Sequence, residues 1–186
     1  VSNFAVLDIE TRSRADLREV GAWRYAVDES STDTWCAAYA IDAEPVQFWK
    51  RGDPVPPAII KAAADPDTLW VAHNAPFERV IWQHILTPKH GWPPLPPLPR
   101  WHCTMVGCLA LALPPALKDV VDVLALAHRK GDDRIMHTMS RPRAARIGED
   151  PKGLYWHDDS EHRETLYAYC CGDVECERDL WRWLSC

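Results

Sequence analysis

Apolar residues gather in short runs in the first half of the chain and recur at helical spacing in the second. Phe4-Ala-Val-Leu-Asp-Ile9 is a short apolar run with a carboxylate near its end, which predicts a buried strand. Residues 34–41 and 46–49 read as two further strands, joined by the turn Asp42-Ala-Glu-Pro45. Residues 57–64 are helical in composition and stop at Asp65-Pro66, because the residue before a proline is pushed out of the helical region. Leu69-Trp-Val-Ala-His73 is another apolar strand. It runs into a helix expected from about 74 to 86, with Asn74 or Ala75 as N-cap and Pro76 in the first turn, where a proline is tolerated.

Six prolines between 88 and 99 predict a stiff, irregular connection. Helices follow at 104–112, 117–127 and 135–140, then a polar loop over 141–153. The last element is a long helix over 160–183, with an apolar stripe of Leu166, Cys170, Val174, Trp181 and Leu184. No internal repeat or linker interrupts this order, so the 186 residues read as one α/β domain spanning 1–186. The chain opens on Val1 rather than Met, and the expectation is a piece of a longer protein.

Charge and cysteine usage change the picture little. The 27 acidic residues outnumber the 21 basic ones, leaving a net charge of −6. That argues against long, sequence-independent duplex binding, yet suits an enzyme whose local positive charge comes from bound cations. The seven cysteines, at 36, 103, 108, 170, 171, 176 and 186, have neither a disulfide framework nor a Cys-x-x-Cys pair, so a reduced, cytoplasmic protein is expected. His102, Cys103 and Cys108 read as packed residues rather than zinc ligands. No apolar run is long enough for a membrane span.

Three groups carry the candidate chemistry. Asp8 and Glu10 are two apart on a strand, so both project from one face, where they repel unless protonated or bridged by a cation. Hard divalent ions such as Mg²⁺ take oxygen ligands of this kind. Glu78 falls in the first turn of a helix, where the dipole and free N–H groups favour a carboxylate. Tyr169 and Asp173 are four apart and share one face of the last helix, at the edge of its apolar stripe. Each group alone reads as well as ordinary structural acids; together they converge on a two-metal site. Glu177 continues the Tyr169–Asp173 row as a candidate to support the ligands from behind, though a solvated place is expected for it, while His73 is expected to be packed and hydrogen-bonded, with no catalytic role.

Leu7-Asp-Ile-Glu-Thr11, His73-Asn-Ala-Pro-Phe-Glu78 and Tyr169-x-x-x-Asp173 resemble, in that order, the three motifs of the tyrosine-bearing branch of the DEDD 3′→5′ exonuclease superfamily. Leu117-Lys-Asp-Val-Val and Ile135-Met-His-Thr-Met-Ser-Arg-Pro142 further resemble the exonuclease region of phage-type family-A DNA polymerases. The resemblance implies a ribonuclease H-like fold, a mixed five-stranded sheet flanked by helices. It implies two divalent cations, Mg²⁺ or Mn²⁺, held by Asp8, Glu10, Glu78 and Asp173, with Tyr169 orienting the nucleophile. Thr11, Asn74 and Phe77 become candidates for contact with the terminal nucleotide. The implied partners are a single-stranded or frayed DNA 3′ end and a covalently linked polymerase domain. Most of the ten tryptophans are expected in the core, with Trp181 and Trp183 expected to pack on that domain; a structural interaction domain would instead use tryptophans such as Trp92, Trp101 and Trp156 at an interface. The superfamily's second motif usually ends in Asp, and Glu78 is one methylene longer. That departure keeps open a catalytically weak DNA-binding domain, and because the motifs do not separate DNA from RNA, a stand-alone RNA 3′→5′ exonuclease stays open as well.

Overall fold

The computed structural model describes residues 3–185, so Cys186 lies outside the described residues. Strand β1 (Phe4–Arg12) is the centre of a five-stranded sheet. β2 (Asp33–Ile41) pairs antiparallel on one side of it, and β3 (Gln47–Lys50) pairs antiparallel with β2. On the other side β4 (Leu69–Ala72) and β5 (Trp101–Cys103) run parallel, giving the order β3-β2-β1-β4-β5. This is the mixed five-stranded sheet of a ribonuclease H-like fold.

Strand parity divides the core. Ala5, Leu7 and Ile9 of β1 face helices α1 (Leu17–Val27), α2 (Pro57–Ala64) and α3 (Ala75–Ile81). Val6, with Cys36, Ala38, Ala40 and Val71, faces the long helix α8 (Ser160–Leu184) through Leu166, Cys170 and Val174. Asp8 and Glu10 share the parity of Val6, so the two acids point to the α8 side. The β1–β2 register shifts between Glu10 and Thr11, leaving one extra residue on β2. Trp35 and Cys36, consecutive on β2, consequently both enter the α8-side core, as a bulge requires.

A five-tryptophan cluster fills the opposite side. Trp82 packs edge-on against Trp70 at 4.8 Å and Trp92 at 5.0 Å, Trp101 stacks on Trp70 at 5.8 Å, and Trp92 meets Trp49 at 5.5 Å. Trp92 and Trp101 are core residues, as expected of most of the tryptophans; Trp156 packs beneath the Arg12 guanidinium. The proline-rich segment wraps this cluster and serves it. Pro93 and Pro96 carbonyls accept from the indole N–H groups of Trp82 and Trp101 at 2.8 and 3.1 Å. Proline donates nothing but keeps its acceptor, which the buried indoles need.

Several elements depart from expectation. The helix after β4 does not stop at residue 86. It passes through a π-helical segment, Trp82–Leu86, into the short helix α4 (Thr87–His90), so the irregular stretch starts at Gly91 and not at Pro88. The wider i→i+5 geometry, with the Thr87 N–H on the Trp82 carbonyl, precedes Pro88, which sits in the first turn of α4. Helix α1 has weak amphipathicity and a break at Gly21 (φ 75°), which hides it from a periodicity reading. Its signal was the N-cap: Asp16 accepts from the Arg18 N–H. β5 is three residues long, too short for an alternation pattern.

Helices α5 (Thr104–Ala110) and α6 (Leu117–Val123) are shorter than expected, and α7 (Arg134–Met139) has the expected length but starts one residue earlier. α5 and α6 form a third small core with Cys176 and Leu180 of α8. α7 packs near the bulge, where the Met139 carbonyl accepts from Trp35 Nε1 at 2.8 Å and the Ser140 carbonyl from the Ser13 N–H at 2.9 Å. None of the described helices is long and apolar enough to cross a membrane.

Candidate metal centre

The C-terminal half of β1, the start of α3 and the middle of α8 meet at one cleft of about 350 Å³. Asp8, Glu10, Glu78, Tyr169 and Asp173 all line it. One carboxylate oxygen from each of Asp8, Glu10 and Asp173 lies within 4.8 Å of the others, a spacing a single cation can bridge. Glu78 is on the same cleft but outside that trio.

Burial concentrates this charge. Glu10, Glu78 and Asp173 are 7%, 4% and 4% exposed. Asp173 is not the exposed acid that a structural reading of the helix expects. Burial, reinforced by Asp173, pushes the Asp8 carboxyl up to about 7, against the opposing pull of Lys130 and a 3.2 Å hydrogen bond donated by Cys170 Sγ. Burial and the neighbouring acids Asp8 and Asp173 raise Glu10 well above the carboxylate range. Burial and Asp8 do the same to Glu78. Two carboxylate oxygens, Glu78 Oε2 and Asp173 Oδ1, are sealed from solvent without a hydrogen-bond partner. Buried acceptors of this kind are ordinarily satisfied. Oxygens left without donors, in an acid-rich cleft, fit the hard-cation ligands that the sequence pattern implies.

Tyr169 sits beside Asp173, and burial together with Asp173 drives its phenol far above its ordinary pKa. It stays a neutral hydroxyl at any working pH. Thr11 is buried, with its hydroxyl 2.9 Å from that of Tyr25. Phe77 packs against the tryptophan-side core and 6.2 Å from the Tyr25 ring, while an edge of it lines the cleft. Asn74 caps α3 in the left-handed region (φ 74°, ψ 45°), exposed at the cleft rim, with no side-chain capping bond. All three candidate nucleotide contacts therefore border the cleft.

His73 is packed as expected. Its Nε2–H donates to the Pro115 carbonyl at 2.7 Å, which fixes the tautomer, so Nδ1 accepts from the Thr104 hydroxyl at 2.9 Å.

Its fold is similar to that of NrnC from Brucella melitensis. The likeness has a TM-score of 0.54 at 13% identity and covers 98% of this chain and 72% of that one. The structure of Brucella melitensis NrnC with bound Mg²⁺ matches with the same TM-score and identity, over 98% and 71%. At this identity the likeness speaks for the fold alone. No protein-family model and no curated protein sequence matches the chain.

Two residues of the site escape the sequence reading. Lys130, in the loop between α6 and α7, ion-pairs with Asp173 Oδ2 and holds its Nζ 4.5 Å from the centre of the Tyr169 ring. Burial opposes its charge, but Asp173, Asp8 and Glu10 outweigh that and raise its pKa. Nothing in the sequence marks one loop lysine, 43 residues from its partner, as the cation facing this cluster. Glu177 is the second, and its solvated expectation is corrected: it is 2% exposed and buried beside the acids. Its i+4 spacing from Asp173 was the available signal.

Proposed function

We propose that this protein is a metal-dependent 3′→5′ exonuclease that releases nucleoside 5′-monophosphates. The observation that carries the reading is the convergence of Asp8, Glu10 and Asp173 oxygens within 4.8 Å on the floor of an open cleft. These three residues would hold one divalent ion, and Glu78 with Asp8 a second. The ions, when bound, lower the pKa of the attacking water and offset charge on the phosphoryl oxygens. The Mg²⁺ in the Brucella NrnC structure supports that choice of ion.

The protein's own groups do the rest. Tyr169, kept neutral, orients the attacking water through its hydroxyl and cannot serve as the base. Thr11 and Asn74 contact the terminal nucleotide and Phe77 stacks against its base. Water oxygen bonds to phosphorus as the P–O3′ bond breaks; the proton the water loses passes to solvent in the open cleft, and solvent there supplies one to the leaving 3′ oxygen. The likeness of Leu117-Lys-Asp-Val-Val and Ile135-Met-His-Thr-Met-Ser-Arg-Pro142 to phage-type family-A polymerases points to a DNA 3′ end presented by a linked polymerase domain, and the three motifs fit an RNA substrate equally. A stand-alone enzyme acting on RNA uses the same carboxylates, and the 2′-OH contact that separates the two is local.

The test is digestion of 5′-labelled single-stranded and 3′-frayed DNA, and of RNA, with and without Mg²⁺ or Mn²⁺. Stepwise loss from the 3′ end, with a drop above ~100-fold in Asp8→Ala, is expected, since even indirect support of a metal ligand contributes 10–100-fold. Equal, metal-independent persistence of substrate with wild type and Asp8→Ala would reject the reading. The preferred substrate chooses between the DNA and RNA versions.

A further inference from the structure

We infer that Glu177 is a fifth acidic ligand of the metal centre, acting with Glu78 on the second cation. This rests on the metal-dependent reading above and deepens it. Glu177 stands one helical turn beyond Asp173 on α8, so the two acids share one face of that helix. Burial and the charges of Asp8, Glu78 and Asp173 oppose its ionisation. The side chain is 2% exposed, and Oε2 is sealed without any hydrogen-bond partner. Glu78, reaching in from α3, presents the same feature, an Oε2 sealed and unpartnered.

The nearest arginine does not relieve this. Arg178 turns the other way, donating to the Glu44 carbonyl at 2.6 Å and pairing with Glu175. The cation facing the cluster is Lys130, and it is engaged by Asp173. A buried carboxylate with neither donor nor counter-charge is among the costliest groups a core can hold, and it persists where it is paired or coordinates a metal. Charge balance leads to the same place. With a metal bound and all five ionised, Asp8, Glu10, Glu78, Asp173 and Glu177 would set five carboxylates against the ammonium of Lys130, which ion-pairs with Asp173. The four negative charges then left over are what two divalent ions would neutralise. The trio of Asp8, Glu10 and Asp173 serves one ion. The unpartnered oxygens of Glu78 and Glu177, from two different helices, are what remains for the other.

The experiment is a titration of the metal-free 186-residue chain with Mn²⁺, without nucleic acid, followed by calorimetry and by the electron paramagnetic resonance of free Mn²⁺. Wild type is expected to bind two ions. Glu177→Gln, nearly isosteric, is expected to keep one and to weaken the second at least tenfold, and Glu177→Asp to fall between them. Thermal melts in EDTA verify folding, and there Glu177→Gln is expected to melt higher, because the repulsion is gone. Two-ion binding by Glu177→Gln at wild-type affinity would overturn the inference, even with a higher metal-free melting temperature, since the acid would then be held by a proton shared with Glu78. Wild type binding only one ion would also overturn it. Failure of the nuclease reading looks different: two ions bound, Glu177-dependent, and no oligonucleotide cut.

Discussion

Lys130 and Asp8 hold the charge balance of the site between them. Lys130 supplies the counter-ion for Asp173 while only 18% of its side chain is exposed. Lys130→Met keeps the length and removes the charge, so the metal-free protein is expected to lose about 1–3 kcal/mol, the range for hydrogen bonds to charged groups and for partners left unpaired. Saturating Mn²⁺ should restore most of it, because the ions then neutralise Asp173. Denaturant unfolding with EDTA or Mn²⁺ measures both. Asp8 contributes to the pH dependence with the same sign as other raised acids of the site, Glu10, Glu78 and Glu177. Its carboxyl titrates near 7 in the folded chain and near its ordinary 3.8 when unfolded. A raised carboxylate pKa means that the folded state binds more protons between those values. Its stability contribution is whole below about pH 4 and is lost as pH rises through 7. The metal-free melting temperature is therefore expected to fall between pH 5 and pH 8, and Asp8→Asn to flatten that slope. Asp33 has the opposite sign. Despite its burial, bonds from His90, the Thr34 N–H and Arg51 hold it down at about 2, so its contribution is lost only in strong acid and does not overlap this window.

Helix α3 shows how one backbone conformation aims a functional group. Asn74 turns the chain from β4 into α3 with φ at 74°, and Glu78 enters the cleft four residues later. Left-handed backbone disfavours a Cβ, with asparagine the most tolerant residue after glycine. Asn74→Ala is expected to cost about 1–2 kcal/mol, and Asn74→Gly close to nothing. If both variants match wild type in chemical denaturation, the turn is not strained and Asn74 is placed there for contact alone. The β-bulge at Glu10/Thr11 performs the analogous task on β1. Breaking the ladder there lets Glu10 keep the α8-side face while Trp35 drops into the core beneath Arg12.

Across the whole molecule, the sheet separates a tryptophan-rich core from the acidic cleft. The indoles on one face anchor α3 and the π-helical segment rigidly, and α3 carries Glu78. Trp82, in contact with Trp70, Trp92 and Trp101, is central to that anchor. Trp82→Ala is expected to cost about 3–5 kcal/mol, as for other large-to-small core changes. A loss below about 1 kcal/mol in urea unfolding would mean that the cluster is not the anchor. Trp183, 43% exposed near the end of α8, is the tryptophan of the expected interface set left most open to a neighbouring domain.

Local periodicity was enough for much of this. The two-residue spacing of Asp8 and Glu10, the four-residue spacing of Tyr169 and Asp173 and the helix start at Glu78 are properties of short segments, legible because strand and helix geometry are the same everywhere. The order of those segments carried the expectation of the fold. Short or broken elements were not legible: β5 has too few residues to alternate, and Gly21 interrupts the period of α1. Tertiary structure alone decided which groups meet. Cys170 reaches Asp8 across 162 residues of chain, and that same β1–α8 packing buries Asp173 and Glu177 and puts Lys130 opposite them. A residue's charge environment is the sum over everything packed around it, and no spacing along the chain encodes that sum. Hence Glu177, an ordinary helix acid by its spacing, is in the fold a buried carboxylate in want of a cation.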